Sequence, residues 1–347
     1  MRIGLKRLSA ALLCRTGMLA LADWIGRRNL TIITLHRVVT EEERTRSVNK
    51  PMMLTIAQFE QLLDAVQQFG HPVTLGDAVG RLASGEKLEP GAIALTFDDG
   101  YRDVRTRAYP MLRSRGIPAT SFLTTSVLDG EDNYLWWDEV DYFASICADR
   151  ARQLELPSSD DLSTVIECIE QLAKARTESA EASLRAALHR LSVSDRLDLA
   201  KAMRLVTRRC GTRPRLMLSW DEVRSMTDLI EPANHTVDHP MLDQLGQSEI
   251  FWQIATARAR IEEQTGMNCR GFAYPSGAFT DEVTATAAKC GVEYAVTTRF
   301  RNVAFYENRF SLGRKDAGYL FVGGAIDSNY FRVGLSCLSD WLRRETG

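Results

Sequence analysis

The chain has 347 residues, of which 45% are hydrophobic and 25% charged, and its formal net charge at pH 7 is −2. These are the proportions of a globular protein with room for one large domain or two smaller ones. The near-neutral charge argues against a nucleic-acid surface, which needs a basic excess. Seven cysteines without a Cys-x-x-Cys pair indicate free thiols in a reducing compartment.

Residues 1–29 form a basic, partly apolar segment that we predict to be an amphipathic helix. Basic residues precede the apolar run at positions 8–14, Arg15 interrupts it, and Asp23 ends the next run. Neither run approaches the roughly 20 apolar residues of a spanning helix, and a secretory signal fits poorly. The helix either packs on the domain or rests on an anionic membrane. We expect a cytoplasmic location, with peripheral membrane association as the open alternative.

Seven short apolar runs are predicted to be strands that alternate with helical patterns. The runs are Leu30–Leu35, Pro72–Leu75, Ala92–Phe97, Ala119–Thr124, Leu229–Asn234, Gly271–Tyr274 and Tyr294–Thr298. The clearest helical patterns cover Thr55–Phe69, Glu249–Thr265 and Asp281–Cys290. This alternation indicates an α/β domain over residues 30–347 with a parallel sheet and helical crossovers. Seven strands suit a closed barrel or a doubly wound sheet, and periodicity does not choose between them.

Residues 129–215 break this alternation. They show no convincing strand, whereas Leu184, Leu188 and Leu191 recur at helical spacing. We interpret the segment as a helical insertion within the α/β domain. It serves either as a lid or wall that shapes a substrate site, or as scaffolding.

Two neighbouring carboxylates, Asp98 and Asp99, follow the predicted strand at residues 92–97 in the stretch ALTFDDG. Adjacent carboxylates repel each other, so the pair needs a compensating positive charge. His235 and His239 follow the strand at residues 229–234, and imidazoles at this spacing can converge on one metal ion. Because Thr236 stands where a zinc-helix motif has its glutamate base, the base must come from elsewhere.

The aspartate pair can supply both a ligand and a base, because consecutive side chains point to different sides of the backbone. Asp99 would bind a divalent ion together with His235 and His239, and Asp98 would be the base. Such an ion lowers the pKa of bound water from about 15.7 to about 7. Each signal alone is often a turn or a coincidence, but both lie at strand ends, where α/β folds place their sites.

Two motifs resemble those of the NodB-type polysaccharide deacetylases, carbohydrate esterase family 4. They are Thr96-Phe97-Asp98-Asp99-Gly100 and His235-Thr236-Val237-Asp238-His239. The stretch GFAYPSGAF at residues 271–279 is similar to the third motif, which forms one wall of the groove. The resemblance covers about residues 30–316 and excludes the insertion.

The resemblance implies a distorted (β/α) barrel of about seven parallel strands and a divalent metal, usually Zn²⁺. It also implies removal of the N-acetyl groups of an amino-sugar oligo- or polysaccharide by attack of a metal-bound water. Its catalytic base would be Asp98, the residue that spacing also indicates. The metal ligands would be Asp99, His235 and His239, and Tyr274, Pro275, Gly277 and Arg270 would contact the substrate.

Three departures from the family pattern concern the groups around the base. The family's base-orienting arginine is Ala273 here, and Arg270 is the nearest alternative. No clear fourth motif of the D-x-x-D-W kind is present. The family's general-acid histidine is absent too, because no histidine follows His239. His36 in TIITLHRVV resembles that of a subset with an early His-Arg pair, so we expect His36 to be the general acid.

The sequence therefore predicts a hydrolase of carbon–nitrogen bonds other than peptide bonds, a polysaccharide or chitooligosaccharide deacetylase. An O-acetyl carbohydrate esterase and an inactive carbohydrate-binding or assembly protein are the alternatives. The partner would be an N-acetylated glycan, free or lipid-linked. Two histidines and a carboxylate accept several metals, so the choice of ion stays open.

Overall fold

The structure, a computed structural model, describes residues 2–26, 29–130, 134–211, 213–304, 308–337 and 339–340. Its strands are β1 (Thr31–Leu35), β2 (Arg37–Val39), β3 (Met53–Thr55), β4 (His71–Pro72), β5 (Ala92–Phe97), β6 (Ala119–Leu123), β7 (Ile230–Asn234), β8 (Gly271–Ala273), β9 (Tyr294–Val296) and β10 (Lys315–Asp316). Its α-helices are α1 (Arg2–Arg15), α2 (Met18–Gly26), α3 (Glu41–Arg46), α4 (Ile56–Phe69), α5 (Leu75–Ala83), α6 (Tyr109–Arg115), α7 (Trp136–Ile146), α8 (Asp160–Lys174), α9 (Glu178–Arg190), α10 (Val193–Thr207), α11 (Trp220–Arg224), α12 (Gln247–Thr265), α13 (Asp281–Lys289) and α14 (Ser328–Leu335).

The main sheet is parallel and curls into a distorted (β/α) barrel. Its strand order is β10-β1-β5-β6-β7-β8-β9, and β4 pairs with β5. The two ends of this order meet, because Leu312 pairs in parallel with Val296 of β9 just before Lys315 pairs with Ile33 of β1. The barrel alternative is thus confirmed over the doubly wound sheet. All the carboxyl ends of the parallel strands lie on one rim, where barrels place their sites.

Each of the seven predicted strands is present; one has the predicted bounds, five differ by one or two residues at one end, and one is displaced further. The run predicted as Pro72–Leu75 is a strand only at His71–Pro72, which pairs with Ala92 and Ile93 of β5. Leu75 instead begins α5, whose buried side chains recur at helical spacing: Leu75, Ala78, Val79 and Leu82. The apolar run continued into the helix, so composition alone could not mark where the strand ended.

Three short strands of two or three residues each escaped prediction. The strands β2 and β3 have three residues each and pair only with each other. The strand β10 contains Lys315, whose fully buried Nζ donates to the carbonyls of Gly334 and Ser336 at 2.7 and 3.1 Å. A buried lysine becomes tolerable only through such partners, which local sequence does not reveal.

The helices that cover the barrel follow ordinary capping and periodicity rules. Thr55 caps α4, since its side chain accepts from the N–H of Gln58 while the Gln58 side chain accepts from the N–H of Thr55. The buried face of α4 meets the sheet, and the rings of Phe59 and Phe97 contact edge to face at 5.9 Å. Replacing Phe59 with alanine should cost about 3–5 kcal/mol of folding stability.

The segment predicted as a helical insertion, residues 129–215, contains α7, α8, α9 and α10, and its described residues contain no strand. It leaves the barrel after β6 and returns before α11. Its helices bury an apolar core of their own, which includes Val140, Val165, Ile169, Leu184 and Met203. A buried carboxylate, Glu139, is paired with Arg204 and Arg213 at 2.7 and 2.8 Å.

The N-terminal segment forms two helices rather than the single predicted one. Gly17 adopts a left-handed conformation (φ 77°) between α1 and α2, which ends the first helix. Side chains of Ala10 and Leu19 pack against Val333 of α14. Within the described part of the chain, no helix has the length and apolar character that crossing a bilayer requires. None of the seven cysteines forms a disulfide.

Candidate active site at the carboxyl rim of the barrel

The aspartate pair stands at the carboxyl end of β5, completely inside the rim. Asp98 is 3% exposed and Asp99 is 1% exposed. Asp99 adopts a left-handed backbone conformation (φ 74°), which is costly for a residue with a Cβ. The turn reverses the side-chain direction between the two aspartates, so one local segment presents two carboxylates to different partners.

The histidine pair stands at the carboxyl end of β7, two strands away from β5 in the sheet. Thr236 and His239 are left-handed (φ 71° and 58°). The turn is held by the Asn234 side chain, which accepts from the N–H of Thr236 at 2.8 Å, and by the Thr236 hydroxyl, which accepts from the N–H of His239 at 2.9 Å. The segment after β7 is therefore a tight, hydrogen-bonded turn that brings both imidazoles inward.

Strained backbone is confined to the motif segments. In the described residues, all four non-glycine residues with positive φ are Asp99, Thr236, His239 and Ser276, and each lies in one of the three motifs. Such conformations typically cost about 1–3 kcal/mol each and cluster at functional sites. The motif residues are thus held where they are by the surrounding fold and not by local preference.

Asp99, His235 and His239 fit a divalent metal ion. One ligand atom from each lies within 4.8 Å of the others, and the Asp99 Oδ1 is 3.5 and 3.7 Å from the Nε2 atoms of His235 and His239. The second carboxylate oxygen of Asp99 is buried without a hydrogen-bond partner. The Nδ1 of His235 lies 2.8 Å from the carbonyl of Ala273, an arrangement in which Nδ1–H donates and Nε2 is left to bind the metal.

Two of the three pKa shifts at the site, those of His239 and Asp99, favour metal binding, whereas that of His235 favours its protonated form. Burial and the charge of neighbouring His235 lower the pKa of His239 to about 4, so this imidazole is neutral at pH 7 and able to act as a ligand. Burial opposes ionisation of Asp99, but the hydrogen bond from His235 and the nearby histidine charges outweigh it and lower the pKa of Asp99. Burial also works against the charged form of His235, and Asp99 outweighs it and raises the pKa of His235.

Asp98 is held by an arginine that the sequence analysis missed. The Arg314 guanidinium, 2% exposed, donates to both oxygens of Asp98 at 2.7 Å each, and to the carbonyl of Thr297 at 3.0 Å. Burial works to raise the pKa of Asp98, and the Arg314 charge overcomes it, so the pKa lies well below its usual range. Asp98 is therefore an oriented carboxylate beside the metal site, and its oxygens retain lone pairs for a further proton or water.

His36 reaches the same rim. It follows β1, and the N–H of Asp98 donates to the carbonyl of Leu35 at 3.0 Å, so the two residues emerge side by side. One neighbour of β1 in the sheet is β10, and the other is β5, which carries the aspartates. Arg37 next to it is anchored, because its Nε donates to Asp103 at 2.9 Å and its guanidinium lies over the Tyr101 ring at 4.8 Å.

One wall of the site comes from the insertion. The Trp137 ring at the start of α7 contacts the His239 ring edge to face at 4.8 Å. Its Nε1 donates to the hydroxyl of Tyr101 at 2.9 Å, and that hydroxyl donates to buried Asp138 at 3.0 Å. Burial raises the pKa of Asp138 well above its ordinary range. The only sequence signal for this wall is the doublet Trp136-Trp137, which stands before two acidic residues. From the sequence we assign this doublet no role.

Arg270 does not reach Asp98, and that expectation is wrong. It precedes β8, so it lies at the opposite end of the barrel, where its guanidinium is paired with Glu231 at 3.1 Å and Asp77 at 3.3 Å. The position three residues before Ala273 is on the amino-terminal side of a three-residue strand, and crossing the barrel from there is not possible. Arg314, distant in sequence, takes the place beside Asp98.

Two residues of the third motif, Tyr274 and Pro275, pack in the interior and do not form a surface that faces the site. Tyr274 is completely buried, its hydroxyl donates to the carbonyl of Phe310 at 3.0 Å, and its ring stacks on Phe279 at 4.8 Å. Pro275 is buried as well. These positions contradict our expectation that both contact substrate. Gly277 is half-buried and left-handed (φ 71°), with a close approach to Thr298 that leaves no room for a Cβ; its substrate role stays a prediction.

Comparisons with known proteins agree with this geometry. A sequence model described as polysaccharide deacetylase matches residues 85–166 and 188–295, together more than half of the chain. A search among curated proteins finds no match. Among solved structures, the fold is similar to that of the Streptococcus pyogenes deacetylase PplD in complex with acetate, at 17% identity and a TM-score of 0.55, covering 83% of this chain and 92% of that one.

Two further solved structures share the fold. One is IcaB from Ammonifex degensii, at 18% identity and a TM-score of 0.52, covering 88% of this chain and 96% of that one. The other is a de-N-acetylase from Aggregatibacter actinomycetemcomitans, at 16% identity and a TM-score of 0.53, covering 83% and 95%. At these identities the likeness concerns the fold.

Proposed function

Because this chain belongs to the polysaccharide deacetylase family, we propose that it hydrolyses N-acetyl groups of an amino-sugar glycan with the help of a divalent ion. Family membership makes the chain a deacetylase-type hydrolase; the amide bond, the metal and the residue roles are our proposal. The observation that supports it is that two distinct groups of residues meet at the rim, a cluster that could bind a metal ion and a carboxylate that stays outside that cluster. Asp99, His235 and His239 converge on one point, while Arg314 holds Asp98 beside them in a different pairing.

The ion would be held by Asp99, His235 and His239, and when bound it would polarise the acetyl carbonyl and lower the pKa of water. Zn²⁺ is the ion that we propose, since imidazole and carboxylate ligands with a position left open are typical of catalytic zinc sites. Asp98 and His36 lie at the site but are not among the three metal ligands, so Asp98 can accept a proton and His36 can donate one.

The protein's own side chains would take part in the hydrolysis through two proton transfers. A water oxygen forms a bond to the acetyl carbon, and a carboxylate oxygen of Asp98 takes the proton that this water loses. The carbon–nitrogen bond then breaks as His36 donates a proton to the departing nitrogen. The products are acetate and the free amine. An amide needs this second proton far more than an ester does, because an amine anion is a very poor leaving group.

The nature of the acetyl bond is what the experiment must decide. Released acetate would be measured on N-acetylglucosamine oligomers and on O-acetylated oligosaccharides, after chelation and after restoring Zn²⁺. We expect metal-dependent acetate release together with new free amines from the N-acetylated series. Release from the O-acetylated series alone would overturn the amide assignment, and metal binding without release from any glycan would favour the silent carbohydrate-binding alternative.

Two variants assign the proton transfers. Asp98→Asn should keep its metal content and lose about 10²–10⁴-fold in kcat, the usual contribution of a general base. His36→Ala should slow amide cleavage more than cleavage of an activated acetyl ester. Near-normal turnover by Asp98→Asn, with metal content and folding unchanged, would show that another group is the base.

A further inference from the structure

The N-terminal hairpin, defined here as α1 and α2 (residues 2–26), exposes an unusual amount of apolar surface. The described residues contain fourteen exposed large hydrophobic side chains, and six of them lie in this hairpin, each between 50% and 68% exposed: Ile3, Leu8, Leu12, Met18, Leu21 and Trp24. Single exposed apolar residues are normal on soluble proteins, but a concentration of them marks an interaction surface.

The hairpin is fixed to the barrel through its other face. Ala10 and Leu19 are at most 2% exposed and pack on α14. Arg7 donates to the carbonyl of Val322 at 3.4 Å, and its Nε lies 4.0 Å from Asp327. The exposed residues Leu8 and Leu12 are one helical turn apart, so they form a continuous strip on α1 that no described residue covers.

The charge of the hairpin region indicates what the strip contacts. Residues 1–28 contain six of the 43 basic residues but only one of the 45 acidic residues, although the whole chain has a net charge of −2. Lys6 and Arg15 are exposed beside the strip. Apolar side chains flanked by basic residues, with a tryptophan at the edge, suit a surface of anionic lipid headgroups.

Self-association is the less favourable use of this surface. In a two-fold symmetric contact each patch meets its own copy, so the basic residues of one hairpin would face those of the other. Like charges brought together in this way repel each other. An anionic bilayer instead complements the charge and accepts the apolar side chains.

We propose that the N-terminal hairpin is a peripheral docking surface for an anionic phospholipid bilayer. Apolar side chains of α1 and α2 enter the headgroup region, and Lys6 and Arg15 contact lipid phosphates. The barrel stays outside, held through α14. This inference is independent of the reaction that the rim carries out.

The test uses the full chain and vesicle co-sedimentation. Vesicles of phosphatidylcholine with added phosphatidylglycerol should bind the chain, vesicles of phosphatidylcholine alone should bind it much less, and salt should weaken binding to the anionic vesicles. Lys6→Gln and Arg15→Gln should each lower the partition coefficient by about fivefold, which corresponds to roughly 1 kcal/mol per basic residue.

Two matched double variants test whether vesicle binding depends on the strip on α1 or on exposed apolar residues in general. Leu8→Ser with Leu12→Ser should lower the partition coefficient by at least about tenfold, since two buried apolar side chains are lost. The control, Leu197→Ser with Leu205→Ser, removes two leucines of the insertion that are 61% and 55% exposed, and it should bind like the wild type. Circular dichroism and acetate release from a soluble glycan should be unchanged in both.

Three results would overturn the proposal. One is equal binding to neutral and anionic vesicles, and another is an equal loss of binding in the hairpin variant and its control. The third is a stable dimer in sedimentation velocity that the Leu8→Ser, Leu12→Ser variant dissociates, which would assign the strip to a second copy of the chain. None of these readouts depends on whether the rim cleaves amides.

Discussion

The barrel rim and the helical insertion contribute to the site in opposite ways. The rim supplies ionisable groups on strained turns at strand ends, namely the two aspartates after β5 and the two histidines after β7. The insertion supplies neutral wall residues, above all the Trp137 ring against His239. In our proposal the rim thus carries the reacting groups, and the helical insertion forms a wall beside them.

The difference between the two regions indicates where the reacting groups and where the surrounding wall of the site come from. Parallel strands end at one edge, so ligands far apart in sequence converge there without any need for loops of special length. The insertion packs around an apolar core that is separate from the clusters of the barrel and includes one buried residue from outside it, Val48. We therefore expect substitutions on the rim to abolish the reaction and substitutions in the insertion to tune it.

The largest effect should come from removing a metal ligand of the rim. Asp99→Ala should lose activity completely and lower metal affinity by more than the roughly 100-fold that outer-shell changes cause. Metal content after dialysis and acetate release would be measured together. The control is Asp138→Asn, which alters a buried carboxylate of the insertion and should retain its metal. Equal metal loss in both variants would show that metal binding depends on the insertion as much as on the rim.

The second effect concerns the pair between Arg314 and Asp98. In the metal-free protein Arg314→Met should destabilise the fold by about 3–5 kcal/mol, because it leaves a buried carboxylate unpaired. The lowered pKa of Asp98 contributes stability above its unfolded pKa of about 3.9, and this is lost as the pH falls further. The difference between wild type and variant should therefore be largest at neutral pH and shrink in acid. Urea unfolding at several pH values measures it.

Arg270→Met is the matched control, since it also removes an arginine from a buried carboxylate, Glu231. It should lower stability too, but the pH dependence of acetate release should stay that of the wild type. In Arg314→Met the acid limb of that profile should move to higher pH, because the effect of burial, which raises the pKa of Asp98, is then no longer opposed by the Arg314 charge. A shift of the same size in Arg270→Met would mean that the arginine at the far end of the barrel also influences the base.

A smaller effect is expected for the wall. Trp137→Ala should lower kcat/KM by about tenfold, the equivalent of one aromatic contact of about 1.4 kcal/mol, with metal content unchanged. Trp137→Phe should restore most of the loss, although it cannot donate to Tyr101. If the alanine variant lost its metal, Trp137 would be part of the support for His239 and not a separate wall.

The smallest effect on turnover should come from the core of the insertion. Leu184→Ala, at a fully buried position, should destabilise the helices of the insertion by about 2–5 kcal/mol. Amide exchange should then rise in α8 and α9 while the strands of the barrel stay protected. Acetate release at low temperature should stay within about twofold of the wild type. Loss of protection in both regions at once would show that they unfold as one unit.

The site was predictable where chemistry and strand ends coincide in one short stretch. The aspartate pair and the histidine pair each follow an apolar run that predicts a strand, and the parallel topology brings those ends together. Arg314 was not predictable, because it belongs to a segment with no apolar run, and its partner is 216 positions away. The mistaken choice of Arg270 came from sequence proximity to the third motif, whereas the strand between them separates the two ends of the barrel.

The sequence alone determined the strand pattern, the two motif pairs and the family, because periodicity and short motifs are local properties of the chain. The tertiary structure decided which arginine faces the base, that Tyr274 is interior, and that a helix of the insertion lies against His239. These depend on which surfaces meet when the sheet closes. Such contacts join residues that are distant in the chain, 216 positions apart for Arg314 and Asp98, and their energies arise only when water is removed between them.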